Sequence, residues 1–212
     1  MNKSKLKERA KSILNGFPIN HVFDVDSSEH KFLNRLFEGH PEYSIKSGTG
    51  IKNLSIGVGG KFKTRCFMIN RINGTSTDIS YIRSVDGATS KISDIKCACR
   101  SAIDPVIIEF KKGVRYGIDT CQITGELLTK DNTHIDHYDM TFDELFGLWI
   151  KDLSIDLLHS LLNDSTIDNA TSIYFKSEII ANGFVVFHND NTNLRAVTKK
   201  ANLSILTRKK HD

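Results

Sequence analysis

What the chain lacks narrows its classes first. It has no uninterrupted run of about 18 apolar residues, the length a membrane-spanning helix needs, so no membrane partner is expected. The N-terminal stretch MNKSKLKERAKSILNGF is charged and has no apolar core followed by a small-residue cleavage site. It does not read as a secretory signal, and a cytoplasmic location with reduced thiols is the expectation. Only four cysteines occur, Cys66, Cys97, Cys99 and Cys121, none of them in a C-x-x-C pair. Cys97 and Cys99 stand too close for the usual zinc spacing, so no structural zinc is expected. The scattered glycines never lead into a Gly-Lys-Ser/Thr ending, which excludes a phosphate-binding loop of that type and leaves them as turns. Internal repeats and low-complexity tracts are also absent.

What is present suits one compact domain or two small ones. The 212 residues are 39% hydrophobic and 25% charged, ordinary for a globular chain, with a formal net charge of +4. Lys3, Lys5, Lys7, Arg9 and Lys11 crowd residues 1–12 against Glu8 alone, and Arg195, Lys199, Lys200, Arg208, Lys209 and Lys210 crowd residues 193–210 without an acid. Two basic ends suit a polyanion partner, or they are solvated surface.

Apolar spacing predicts helices over 3–15 and from Ser27 or Ser28 to about Glu38. Residues 41–85 read as β, with Asn73-Gly74 between two strand-like runs predicting a type I′ hairpin turn. The polar stretch 84–94 is the expected boundary. Residues 95–112 read as a helix with Pro105 near its start or at a kink. Thr141-x-x-Glu144 forms a capping box that opens a helix through Leu153, and another apolar run follows at 155–162. A polar loop is expected over 163–172, then a short helix or strand at 174–180 and a strand at 183–188.

Three segments carry chemistry: Cys121-Gln-Ile-Thr-Gly-Glu126, His134-Ile-Asp-His137, and Asn193 with Asn202 nine residues later. Their order resembles the HNH, or ββα-metal, nuclease family. There an Asp-His pair lies on the first strand of a hairpin, one Asn follows and a second Asn or His sits on the next helix. The resemblance implies that His137 is the general base, with an imidazole suited to taking a proton from water near neutral pH. It implies that Asp136 and Asn202 hold one Mg²⁺ (Mn²⁺ or another divalent ion serving as well), an ion that accepts few protein oxygens and keeps its waters. Asn193 would orient the His137 ring. His134 and His188 would contact phosphate or metal, or else be structural. Arg195, Lys199, Lys200, Arg208 and Lys209 would track phosphates without reading sequence. Adjacent residues on a regular strand face opposite sides, so a local irregularity is expected at Asp136-His137. The long gap between His137 and Asn193 requires an inserted pair of helices.

A second set of residues runs His40-Pro41, Lys46-x-Gly48-x-Gly50-Ile51, Arg65-Cys66-Phe67, Arg71-x-x-Gly74 and Asp78-Ile79-Ser80-Tyr81. Over about residues 32–85 this resembles the DCL domain, named for defective chloroplasts and leaves, with Ser47, Thr64, Asn73 and Ile79 departing from its pattern. That family is linked with plastid ribosomal RNA processing and occurs in a plant RNA polymerase tail, which implies nucleic acid. Arg65 and Arg71 would lie on one face of a strand, either toward phosphates or as the solvent side of a half-buried sheet.

The expectation is therefore an α+β protein. Residues 1–94 form a β-rich, nucleic-acid-positioning module with flanking helices. Residues 95–212 form a ββα-metal (HNH) nuclease module with a helical insertion. By this resemblance the function is restriction-like or phage-associated endonucleolytic hydrolysis of DNA, double-stranded for preference, with a homodimer compatible. The alternatives are an RNA-processing nuclease and a non-catalytic nucleic-acid-binding protein.

Overall fold

A computed structural model describes residues 1–59, 64–163 and 172–206. The chain is mixed α+β and divides into two compact units, one built on Met1–Ser93 and the other on Asp94–Asn163 with Tyr174–Asp212. Among the described residues, no helix is long and apolar enough to cross a membrane.

In the first unit, α1 (Lys3–Gly16) and α2 (Ser28–Phe37) precede a short α3 (Tyr43–Ser47), a three-stranded antiparallel sheet and α4 (Tyr81–Asp86). Asn2 and Ser27 cap the first two helices by accepting from Lys5 N and His30 N, which satisfies amides that have no partner inside the helix. The sheet runs β1 (Ile51–Gly59), β2 (Thr64–Arg71), β3 (Ser76–Ile79) in that order. Leu54 pairs with Ile69, Ile56 with Phe67, and Phe67 with Ile79. All five are buried on one face and join Ala10, Ile13, Leu33 and Phe37 from the helices in a single core.

The β reading of 41–85 is corrected at both ends, where α3 and α4 are helical. Ser80 explains the second case, since its hydroxyl accepts from Arg83 N and starts a turn. The turn after β2 also differs from the expected type I′. Gly74 has positive φ (83°) while Asn73 does not, and Arg71 N donates to Thr75 O. This is the three-residue connection closed by a left-handed glycine.

Arg65 and Arg71 do not form the solvent side of the sheet. They share the face of Phe67 and Ile69 and close it at either end. Arg65 Nη2 donates to Phe17 O at 2.7 Å. Arg71, 6% exposed, donates through Nε to Lys46 O at 2.9 Å and through Nη1 to Thr75 Oγ1 at 3.1 Å. Lys46 is buried as well and donates to Asp78 O. Gly48 completes the cluster, because a Cβ there would lie 3.0 Å from Arg71 Nε and its φ is +50°. Lys46 and Arg71, both buried, thus interlock with Gly48 and the partly buried Asp78, all residues of the second resemblance.

In the second unit, α5 (Lys91–Lys112) begins at the boundary and carries Pro105 within it. β4 (Thr133–His137), α6 (Phe142–Ile150), α7 (Ile155–Ser160), α8 (Glu178–Asn191) and β5 (Leu194–Thr198) follow, and a π-helical turn, Ala201–Ile205, ends the described chain. The Thr141/Glu144 capping box forms as read. The strand expected at 183–188 is instead the middle of α8. Phe184 and His188, four residues apart, are its buried positions, so its apolar period is helical. Most of the 163–172 loop lies outside the described residues.

His40, 4% exposed, accepts from Glu42 N through Nδ1. Burial, then the charges of Arg83 and Lys46, hold its pKa down to about 4, against about 6.5 in an unfolded chain. The unfolded chain therefore binds this proton more readily. Neutral His40 contributes its full stability above about pH 6.5, and the contribution is lost as pH falls toward 4. Protection factors of the Ile56 and Phe67 amides, corrected for the pH dependence of intrinsic exchange, should fall over that window in the wild type and less so in His40→Asn; an equal fall in both would contradict this role.

Candidate active site

β4 and β5 are distant in sequence yet pair antiparallel without interruption: Thr133 with Thr198, His134 with Val197, Asp136 with Arg195 and His137 with Leu194. Tyr138 N donates to Asn193 O and extends the ladder. The expected irregularity at Asp136-His137 is absent, so the two side chains leave the strand on opposite sides. Thr198 ends β5 and accepts from Ala201 N through its hydroxyl at 3.3 Å, as a helix cap does. That contact starts the turn carrying Asn202. Underneath, Cys121, Leu128, Val197 and Ala201 form a small core.

On one face, Asp136 Oδ2 accepts from Arg195 Nε at 2.9 Å and lies 2.8 Å from Nη2. The guanidinium stacks 4.7 Å over the Tyr138 ring. On the same face, Asn202 Nδ2 meets His134 Nδ1 at 3.0 Å. An amide nitrogen only donates, so His134 is a neutral acceptor there. Burial, then Lys199 and Lys111, lower its pKa.

On the other face, His137 Nε2 lies 3.1 Å from His188 Nε2. The two rings are perpendicular, and Phe142 packs edge-on to His137. Phe184 packs against both Phe142 and Trp149. Thus α6 and α8 supply the wall behind His137.

Although Asp136 and His137 leave β4 on opposite sides, both line one cleft of ≈ 420 Å³ with Arg195, Asn202, Arg100, Asp104 and Phe142. Arg100 lies 4.4 Å over the Phe142 ring and donates to Asp143 at 3.2 Å. This cation escaped the sequence reading. Its only signal was a polar stripe, Lys96, Arg100 and Asp104, along a helix otherwise read for its apolar face.

The remaining expected residues fall elsewhere. Asn193 donates to Asp139 Oδ2 at 2.6 Å, and the contact that holds the His137 ring comes from His188. His188 is 1% exposed, inside the fold and away from any phosphate in solvent. Lys199 and Lys200 are exposed at the start of the last turn. Arg208 and Lys209 lie outside the described residues. All four cysteines are unpaired thiols. Burial pushes the Cys121 thiol up, but hydrogen bonds from the Thr124 side chain and from the Thr198, Ile123 and Thr124 amides outweigh it and bring the pKa to about 7.

Among the described residues, no three His, Cys, Asp or Glu side chains gather as a metal-binding group. The donor set facing the cleft is leaner. Both Arg195 contacts fall on Asp136 Oδ2, leaving Oδ1 to the cleft, and Asn202 spends its nitrogen on His134, leaving Oδ1. One carboxylate and one amide oxygen fit a hard ion that keeps most of its waters, as Mg²⁺ does.

Residues 11–85 match the family described as a protein of unknown function (DUF3223). The chain is similar to two Arabidopsis thaliana proteins. One is DNA-directed RNA polymerase IV subunit 1, 30% identical over 91 residues, which are 43% of this chain and 6% of that one. The other is Protein EMBRYO DEFECTIVE 514, 38% identical over 64 residues, 30% of this chain and 32% of that one. The matched parts are thus under a third of each relative's length. A solution NMR structure of an uncharacterized protein from Rhodospirillum rubrum is 25% identical, with a TM-score of 0.35, covering 40% of this chain and 78% of that one.

Arg195 and Asp136 are 11% and 19% exposed at their side chains. Removing the cation leaves a half-buried carboxylate unpaired, at a cost of about 1.5–3 kcal/mol. Urea unfolding followed by Trp149, the single tryptophan, should show that loss in Arg195→Met and part of it recovered in the double variant with Asp136→Asn. Strictly additive effects would show that the pair is not coupled.

Proposed function

We propose that the second unit is a metal-dependent phosphodiesterase of the ββα kind, an endonuclease acting on DNA. The observation that carries this reading is the β4–β5 pair followed at once by the Asn202 turn, which collects Asp136, His137 and Asn202 at one cleft although residues 138–193 intervene. The helices α6, α7 and α8 then form the insertion in the long gap, three where a pair was expected.

In this reading His137 takes a proton from the attacking water. Arg195 and Arg100 bring positive charge to the phosphate oxygens, and the low-dielectric cleft wall strengthens it. Asp136 Oδ1 and Asn202 Oδ1 would hold the divalent ion, which when bound polarises the phosphoryl group and stabilises the departing 3′-oxygen. Lys199 and Lys200 would follow the backbone on either side. The first unit would position nucleic acid. The similarity of part of the chain to a DNA-directed RNA polymerase subunit supports a nucleic-acid partner. The DCL-like residues favour RNA as the second substrate to test.

Incubated with plasmid DNA or structured RNA and Mg²⁺ or Mn²⁺, the protein should cut. EDTA should stop it, and His137→Ala should slow it by about 10²–10⁴-fold, the range for losing a general base. Asn202→Ala should lose activity that extra Mn²⁺ partly restores. A folded protein that binds DNA with a steep salt dependence and cuts neither polymer would replace this reading with a binding role.

A further inference from the structure

The first unit carries an apolar groove whose rim has one sign of charge. Along α1, Leu6 stands three residues after Lys3 and three before Arg9, so the three share a flank of the helix. Along α2, Lys31 and Arg35 stand four apart beside Phe32. Leu6, Phe32 and Val85, the last from α4, are half-buried at the edge of the core. They belong to two adjoining cavities of ≈ 380 and ≈ 730 Å³ that have Leu6, Phe32 and Arg35 in common. Gly39 seats the end of α2 against α4, since a Cβ there would lie 2.5 Å from Ser84 O. Lys3, Arg9, Lys31 and Arg35 stand around this floor, and among the described residues no carboxylate lines either cavity. The Arg9 guanidinium lies 4.1 Å over the Phe32 ring. Lys31 Nζ comes only to 3.9 Å from Asp26 Oδ1, both side chains being largely exposed. Like charges four apart on a helix, as Lys31 and Arg35 are, repel each other, and an anion docked between them would relieve that.

We propose that this groove docks an acidic peptide of a protein partner, with its apolar side chains on Leu6, Phe32 and Val85 and its carboxylates on the rim. An amphipathic segment laid into a groove between helices has this pattern. The floor decides against nucleic acid. Bases stack on open aromatic faces, whereas here the floor is largely aliphatic and Arg9 covers a face of the Phe32 ring. Burial of the floor supplies the affinity. Exposed ion pairs add little each, but a rim of one sign selects the charge of the partner and speeds its encounter. The role of the groove does not depend on the second unit being a nuclease.

The probe is a short fluorescent peptide of glutamates interrupted by leucines at helical spacing, added to the full ¹⁵N-labelled chain. It should shift the amides of Leu6, Phe32 and Val85 most. The same peptide with lysine for glutamate should not bind, and serine for leucine should weaken it. Lys31→Glu combined with Arg35→Glu, two exposed positions that leave the core intact, should weaken binding by about tenfold in fluorescence anisotropy. No binding, shifts centred elsewhere, equal binding of the lysine peptide, or an affinity unchanged in the double variant would each overturn the proposal. A single-stranded DNA oligonucleotide that shifts the same amides more strongly would overturn it too, making the groove a nucleic-acid surface. Concentration-dependent shifts at these amides without any peptide would replace the partner with a second copy of the chain.

Discussion

The pairing of Thr133–His137 with Leu194–Thr198 is the constraint on which the site depends. It places Asp136 opposite Arg195, so that a carboxylate and a guanidinium share a face with little solvent. It delivers Thr198 where its hydroxyl can start the turn that carries Asn202. A one-residue slip would exchange the two faces of β4, turning Asp136 toward the aromatic wall and His137 toward the arginine. Since the strands are separated by residues 138–193, local turn chemistry cannot set their register. It is held by what packs on each face: Val197 and Ala201 beneath one, and Phe142, Phe184 and His188 behind the other.

The helices between the strands therefore belong to the site. Loop-closure entropy rises only slowly with length, so residues 138–193 cost little more than a short connection. They return Phe142 at the start of a well-capped helix and His188 from the last turn of another. The Thr141/Glu144 box fixes where α6 begins, and so where the Phe142 ring meets His137. The His137 ring, held on its flank by an aromatic ring and at one nitrogen by a buried imidazole, has few orientations left, and that restriction is what the proposed proton transfer needs.

Legibility followed the kind of information each feature uses. The helices α1, α2 and α5, the central strands of the sheet and the capping box are set by local spacing and caps, and all were readable. The run Phe184-Val-Val-Phe187-His188 looked like a strand because it is β-branched and aromatic. Only the burial of Phe184 and His188 on one helical stripe shows its period. Arg65 and Arg71 looked solvent-facing because charge usually is, yet their hydrogen bonds to Phe17 O and Lys46 O come from segments far away in sequence. The same limit applies at the site. Asp136, His137 and Asn202 stood out by residue type and order. Their partners Arg195, His188 and His134, and Arg100 in the same cleft, depend on tertiary approach that no spacing rule encodes. Asn193 was assigned to the His137 ring by order alone, and its amide donates to Asp139.

The central claim is that Asp136 and Asn202 together offer a hard-cation site at the mouth of this cleft. Paramagnetic broadening on titration with Mn²⁺, read residue by residue in the ¹⁵N spectrum, tests it most directly. The account predicts broadening centred on Asp136, His137 and Asn202, reversed by excess Mg²⁺ and abolished in Asp136→Asn. Broadening centred elsewhere, or unchanged in that variant, would contradict it.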